Sequence, residues 1–193
     1  MSVRMLPEWA PHECVWIGFP SDAKAWGDPL AKAQEQIAAF ANAVHDGGKG
    51  ETVYLIAKGM VAAARARDLC NAGVIVEDRL IGDVWLRDTG CIITGSGTGR
   101  VARNFGFNGW GNRFDYEGDQ TIGRELAEAV GFPVTDCDWI LEGGSIDVDG
   151  EGLAVTTVDC LLNPNRNPAL CREAIEARLG RDLGIDRLLW LGD

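Results

Sequence analysis

The residues best suited to chemistry lie in a short acidic passage near the middle of the chain. Asp83 and Asp88 flank Trp85 within residues 82–90, which read Gly-Asp-Val-Trp-Leu-Arg-Asp-Thr-Gly. Polar groups at the end of a strand can face a cleft without disturbing the core. The alternative interpretation is structural, with an ion pair between Arg87 and a neighbouring acid followed by an Asp turn.

A second unusual passage places Glu142 between an apolar residue and two glycines. Residues 141–146 read Leu-Glu-Gly-Gly-Ser-Ile. Paired glycines let the backbone approach another group closely, so we expect Glu142 at a crowded and partly buried site. A simple tight turn is the alternative. As a pair, Asp88 and Glu142 could also hydrolyse a sugar by acid–base chemistry.

A third passage, residues 160–168, is dense with turn-forming residues. It reads Cys-Leu-Leu-Asn-Pro-Asn-Arg-Asn-Pro. Asn and Pro in this density predict a rigid, shaped loop before the following helix. We interpret it as a structural turn that at most braces a site.

Composition and charge exclude several classes of function. The 193 residues carry a formal net charge of −11, which argues against a nucleic-acid partner and against binding to an anionic membrane surface. A small cationic substrate fits the sign of the field, and solubility alone is the alternative explanation. The sequence has no apolar run of about 20 residues and no secretory signal, so we expect a cytoplasmic protein.

Cysteine and histidine usage predicts neither a metal site nor a disulfide framework. The chain has six cysteines, none spaced as Cys-x-x-Cys, and two histidines, His12 and His45. Structural zinc needs closer groups of ligands. Cytoplasmic thiols remain reduced, so most of these cysteines are expected to pack as small apolar residues.

The hydrophobic pattern predicts a mixed α/β fold in one compact unit. Strands are predicted over residues 14–19, 52–57, 74–77, 101–107, 139–141, 152–157 and 187–191, and helices over 29–44, 60–72, 121–130 and 167–179. Residues 84–93 are predicted to form a strand, a turn and a second strand. Because strands and helices mix throughout, the α/β class is favoured. The apolar run at residues 187–191 predicts that the domain continues beyond this chain, since a strand needs neighbours to cover it. The alternative is an edge strand at a true C-terminus.

Several ordered motifs resemble the agmatine deiminase family, which is related to the bacterial-type peptidylarginine deiminases. The matching segments are residues 6–13, 16–20, 85–90, 107–111, 141–146 and 161–168. The resemblance implies an α/β fold that is part of a five-bladed pentein-type propeller of ββαβ-like repeats. It also implies that residues 1–193 are the incomplete N-terminal portion of a single deiminase domain.

The resemblance implies a site that binds a small cationic guanidinium substrate without metal or cofactor. Asp88 and Glu142 would be catalytic carboxylates, and Trp85 and Asp83 would bind substrate. The nucleophilic Cys and a His-x-Asp motif of the family have no counterpart here. Cys91 stands where the family has Pro, and neither His12 nor His45 is assigned as the base.

The implied reaction is hydrolysis of agmatine to N-carbamoylputrescine and ammonia through a covalent thiouronium adduct. Since the nucleophile and the base are lacking, we expect the 193-residue chain alone to be inactive. The alternatives are deimination of peptidyl arginine, or a non-catalytic module that binds guanidinium compounds or polyamines. Assembly into a homo-oligomer stays open.

Overall fold

The computed structural model describes residues 3–95 and 97–192, which form a mixed α/β structure. In this described part, three three-stranded sheets alternate with helices, so the predicted α/β class is confirmed. The chain divides into two compact units. Unit A is Pro11–Leu86 with Tyr116–Asp119, and unit B is the described part of Met1–Ala10, Arg87–Asp115 and Gln120–Asp193. The assignment of residues 1–193 to a single deiminase domain stays a prediction.

Unit A is built on a parallel sheet. Its strands, in spatial order, are β1 (Val15–Gly18), β2 (Val53–Ala57) and β3 (Ile75–Asp78). Its helices are α1 (Ala23–Trp26), α2 (Leu30–His45) and α3 (Met60–Leu69). Parallel strands need crossover connections, and α2 and α3 supply them.

The core of unit A consists of β2 and the small side chains of the two long helices. Val53 of β2, Ala38 and Ala41 of α2, and Ala63 and Ala66 of α3 are buried in one apolar cluster. The alanines recur three residues apart, which places them on one face of each helix. Small side chains on that face let the helices pack closely on the sheet.

Unit B contains two further sheets. The first comprises β4 (Ile92–Thr94), β5 (Val101–Gly106) and β6 (Val134–Ile140), and the second comprises β7 (Ile146–Val148), β8 (Leu153–Thr157) and β9 (Arg187–Leu191). The helices along this part of the chain are α4 (Leu86–Thr89), α5 (Gly109–Asn112), α6 (Ile122–Ala129), α7 (Val158–Leu161) and α8 (Arg172–Leu183).

Both sheets of unit B follow one ββαβ pattern. Each begins with an antiparallel hairpin, β4–β5 or β7–β8, and adds a parallel strand after a helix. Helix α6 precedes β6, and α8 precedes β9. The sheet of unit A departs from this pattern, because β1 and β2 pair in parallel.

The predicted strand–turn–strand at residues 84–93 is wrong in its first half. Leu86–Thr89 is the short helix α4, and strand β4 begins only at Ile92. The Asp88 side chain in this helix is bound by residues 22 and 56 positions away along the chain. Such long-range contacts override local preference and are invisible to a sequence pattern.

The predicted helix at residues 167–179 is wrong at both ends. Helix α8 begins at Arg172, because the Asn167 side chain hydrogen-bonds both backbone groups of Ile140, at 3.0 and 2.9 Å. Gly180 lies within this helix. The helix ends at Leu183, where Gly184 takes the left-handed conformation with φ of 70°.

Other bounds differ less from the predictions. The strand predicted over residues 139–141 is the end of the longer β6, and the strand predicted over residues 187–191 is confirmed as β9. Pro29 is the N-cap of α2, and no side chain among the described residues caps this helix. None of the helices in the described residues combines the length and apolar character needed to cross a membrane.

Gly123 of α6 provides a test of close packing in unit B. A Cβ at this position would lie 2.5 Å from the Thr89 carbonyl oxygen and 3.0 Å from the Cys91 backbone nitrogen. Gly123→Ala should therefore lower the free energy of unfolding by about 1–3 kcal/mol, although Ala is ordinarily favoured in a helix. Urea unfolding of the intact gene product measures the change.

Gly180→Ala is the matched control in α8. Its added Cβ would meet only the Ile185 carbonyl oxygen, at 3.3 Å. The free energy of unfolding should stay within about 1 kcal/mol of wild type. Equal stability of the two variants would contradict the packing assigned to Gly123.

Candidate functional site

The Asp88 carboxylate is held at both oxygens by neutral N–H donors. The Trp110 indole Nε1 donates to Oδ2 at 2.9 Å, and the Gly144 backbone nitrogen donates to Oδ1 at 2.9 Å. Within the described residues neither partner carries a positive charge. The side chain is therefore fixed in orientation while its negative charge remains available to a cation.

The Trp110 donor comes from a loop with an unusual backbone. Gly109, Trp110, Gly111 and Asn112 all have positive φ, which only the glycines adopt without strain. The Asn108 side chain accepts a hydrogen bond from the Gly111 nitrogen at 3.0 Å. These turns aim the Trp110 indole at Asp88.

Two aromatic rings contact the Trp110 indole edge-on. The ring centroid of Phe107 lies 4.9 Å from that of Trp110, and the centroid of Phe114 lies 5.9 Å away. Edge-to-face contacts of this kind are each worth about 0.5–1.5 kcal/mol. They help to offset the backbone strain at Trp110.

The Gly144 donor requires the absence of a side chain. A Cβ on Gly144 would overlap the Asp88 Oδ1 atom, and a Cβ on Gly143 would overlap the Arg87 carbonyl oxygen. The Gly-Gly pair that stood out in the sequence therefore lets this backbone lie against the Arg87–Asp88 segment. This close approach explains why both Gly143 and Gly144 lack a side chain.

Glu142 immediately precedes these glycines and is buried, with 3% of its surface exposed. Its Oε1 atom accepts a hydrogen bond from Arg166 Nε at 2.9 Å, within an ion pair whose side chains are both largely buried. The Ser145 hydroxyl donates to the Glu142 carbonyl oxygen at 2.6 Å, which closes the turn. Removing either member of such a pair would leave an uncompensated buried charge.

Asp88 and Glu142 therefore lie on adjoining segments of unit B. Asp88 contacts the backbone two residues beyond Glu142. Sequence reasoning gave Trp110 no role and read Arg166 only as part of a turn. In the structure these two residues hold the two acids.

Asp83 and Trp85 belong to unit A. The Trp26 indole Nε1 donates to Asp83 Oδ1 at 3.0 Å, and Trp85 has 54% of its surface exposed. Their participation in one site with Asp88 and Glu142 stays a prediction.

Asp119 anchors the turn that carries Asp83. Its Oδ1 atom accepts a hydrogen bond from the Gly82 nitrogen at 2.9 Å, and a Cβ on Gly82 would overlap the carboxylate. Burial raises the pKa of the Asp119 carboxyl above its ordinary value, although the hydrogen bond from Gly82 opposes this. No motif in the sequence pointed to this residue.

Cys91 has the character of a packed thiol. Burial raises its pKa to about 12, and its Sγ donates to Asn104 Oδ1 at 3.5 Å. A thiol with this pKa is protonated near neutral pH and is a poor nucleophile. Across residues 3–95 and 97–192, no group of three or more His, Cys, Asp or Glu side chains is arranged to hold a metal ion.

A family model described as Porphyromonas-type peptidyl-arginine deiminase matches residues 4–193. The chain is 36% identical over 199 residues to the agmatine deiminase of Stutzerimonas stutzeri, an alignment that covers 97% of this chain and 52% of the relative. It is 38% identical over 197 residues to the agmatine deiminase of Pseudomonas aeruginosa, with the same two coverages. The chain thus spans about half the length of these curated relatives.

Solved structures of similar proteins share the fold. The agmatine deiminase of Enterococcus faecalis superposes with a TM-score of 0.89 at 30% identity, covering 100% of this chain and 53% of that one. A variant of the C. jejuni agmatine deiminase with substrate bound superposes with a TM-score of 0.88 at 30% identity, covering 99% and 56%.

The raised pKa of Cys91 predicts resistance to alkylation. At pH 8, well below a pKa of about 12, iodoacetamide should leave Cys91 unmodified while it labels the exposed Cys171. Mass spectrometry of peptides from the native protein reads both sites in one sample. Labelling of Cys91 as fast as Cys171 would contradict the assigned burial.

Proposed function

Because the chain belongs to the Porphyromonas-type peptidyl-arginine deiminase family, we propose that it takes part in hydrolysing a guanidinium group to a ureido group and ammonia. One observation carries the proposal. The Asp88 carboxylate is fixed by two neutral donors, so its charge is oriented, and no ion pair between residues that the structure describes neutralises it.

A guanidinium group fits this chemistry for geometric reasons. Its planar fork of N–H donors matches a carboxylate through two parallel hydrogen bonds. Its central carbon is a weak electrophile because the positive charge is delocalised, so catalysis depends on holding that carbon in front of a nucleophile. Asp88 is proposed to hold it, with Trp85 and Asp83 binding the remainder of the cation.

Glu142 is proposed to act with Asp88 through its second oxygen. Arg166 occupies Oε1. A contact to substrate, or to the histidine that the family resemblance implies, would therefore be made by Oε2. The pair with Arg166 compensates the buried charge of Glu142 while leaving one edge of the carboxylate for this role.

The nucleophile is proposed to be a cysteine outside residues 1–193. Its thiolate would attack the guanidinium carbon and a histidine would protonate the departing ammonia. Water, deprotonated by the same histidine, would then hydrolyse the thiouronium adduct to the ureido product and restore the thiol. The net reaction consumes one water and releases one ammonia, and it needs no oxidant or reductant.

Agmatine is the proposed substrate, giving N-carbamoylputrescine. The relatives named agmatine deiminase, at 36% and 38% identity, support this choice. The description of the family model favours peptidyl arginine as the second candidate. Steady-state assays of ammonia release from agmatine and from an arginine-containing peptide separate the two.

The architecture is proposed to be part of a five-bladed propeller. The two ββαβ sheets of unit B support this, since one repeated pattern suits successive blades around a common axis. A cytoplasmic location is proposed as well, and assembly of copies into a homo-oligomer stays open.

Asp88→Asn tests the proposed role of the carboxylate. The amide keeps the shape, but its single oxygen can accept from only one of the two donors, Trp110 Nε1 or the Gly144 nitrogen, and it loses the charge that binds a guanidinium. In the intact gene product kcat/KM for agmatine should fall on the order of 10²-fold or more. A continuous ammonia assay measures the change.

Asp68→Asn is the matched control, because Asp68 is exposed on α3 in unit A. Its kcat/KM should stay within about threefold of wild type. If Asp88→Asn behaves like this control, the role proposed for Asp88 is wrong.

A further inference from the structure

We infer that the loop of residues 163–167 is a positioning device for both acids and that Arg166 is its central positioning residue. This inference deepens the proposed function and rests on it. The loop contacts the Glu142 segment on one side and the Trp110 loop on the other. It thereby links the side chains of Asp88 and Glu142, which are 54 positions apart in the sequence.

On the first side, the loop fixes the path of the chain into Glu142. The Asn167 side chain donates to the Ile140 carbonyl oxygen at 2.9 Å and accepts from the Ile140 nitrogen at 3.0 Å. These two bonds reproduce the pairing that a neighbouring strand would offer at the end of β6. Arg166 then binds the carboxylate of Glu142, two residues further along.

On the second side, the loop holds the support of Asp88. The Asn108 side chain donates to the Asn165 carbonyl oxygen at 2.8 Å. A Cβ on Gly111 would lie only 3.0 Å from Arg166 Nη1 and from Asn165 Cβ, so the two loops are in close contact. Trp110, which binds Asp88, lies between Asn108 and Gly111 in the chain.

The contacts close a ring within unit B. It runs from Arg166 to Glu142, through the glycine turn to Asp88, and then through Trp110 and Asn108 back to the loop. A ring of this kind fixes the separation of the two carboxylates, because neither can shift without breaking a bond elsewhere. Reacting groups displaced by about 1 Å can lose about 10²-fold in rate.

The loop is rigid enough for this task. The Asn163 side chain accepts from the Asn165 nitrogen at 3.0 Å, and the Asn163 carbonyl oxygen accepts from the Arg166 nitrogen at 3.0 Å. Pro164 and Pro168 restrict the backbone on both sides of Arg166. The loop therefore loses little conformational freedom when it holds its partners.

Arg166→Lys separates positioning from simple charge. Lysine keeps the positive charge but lacks the planar fork that fixes the direction of a bonded carboxylate. In the intact gene product we expect kcat for agmatine to fall about tenfold or more, with a smaller change in KM. Arg65→Met removes the α3 side of an exposed ion pair with Glu35 of α2, and it should leave kcat and KM within about twofold of wild type.

A double-mutant cycle tests whether Arg166 acts through Glu142. If it does, adding Arg166→Lys to Glu142→Gln should lower kcat by much less than it does in the wild-type background. An equal factor in both backgrounds, or a wild-type kcat for Arg166→Lys, would overturn the inference.

Asn108→Ala, which cuts the other side of the ring at a less buried point, should lower kcat even where Arg166→Lys fails to fold. An unchanged kcat for Asn108→Ala would also overturn it.

A readout independent of turnover distinguishes failure of this inference from failure of the proposed function. The indole N–H signal of Trp110 in a ¹H–¹⁵N spectrum, assigned by its loss in Trp110→Phe, should move in Asn108→Ala and not in Arg65→Met. If the wild-type gene product releases no ammonia from any guanidinium compound, the proposed function is wrong. In that case the Trp110 indole signal alone tests the ring of contacts, and an unchanged signal in Asn108→Ala refutes the positioning role.

Discussion

The arrangement of unit B depends on how the charge of Asp88 is held. Two neutral N–H groups bind its carboxylate, and no cation among the described residues neutralises it. Hydrogen bonds to a charged acceptor are strong, contributing about 1.5–3 kcal/mol each in favourable settings. They fix the carboxylate and leave its negative charge without a positive partner among the described residues. Glu142 is held in the opposite way, by the guanidinium of Arg166 in a largely buried pair. Asp88 therefore has no cation bound among the described residues, whereas Glu142 is already paired with the guanidinium of Arg166.

Close backbone approach makes this arrangement possible. Gly144 lies against Asp88, Gly143 against the Arg87 carbonyl oxygen, and Gly123 against the backbone at Thr89. At each of these three positions a Cβ would overlap a different neighbouring group, so only glycine fits. The helical turn at residues 86–89 is therefore enclosed by backbone on several sides. Its geometry is set by packing more than by its own helix preference, since four residues form too short a helix to be stable alone.

The sequence drew attention to the two acids, whose roles stay a prediction, and it did not show which residues hold them. Glu142 stood out because a charged residue beside two glycines is locally unusual, whereas the role expected of Asp88 came from the resemblance to the agmatine deiminase family. Trp110 and Arg166 lie in passages that the sequence analysis noted, but their contacts were not predicted because their partners lie 22 and 24 positions away. The same reason explains the errors at residues 84–93 and 167–179. In both places a side-chain contact from a distant segment set the backbone, whereas the strand β9 was predicted correctly from its own apolar run.

The ion pair between Arg166 and Glu142 has a consequence for any protein that hydrolyses guanidinium groups. Under the proposed function, the protein carries a potential target of its own reaction beside one of its own acids, and that target has to be spared while the same group is attacked on a substrate. Arg166 is protected by its placement, because its Nε faces Glu142 and its Nη1 side is closed by the backbone at Gly111. Under the proposed function, the same packing that orients Glu142 also keeps the guanidinium of Arg166 in place, with only 12% of its side chain exposed.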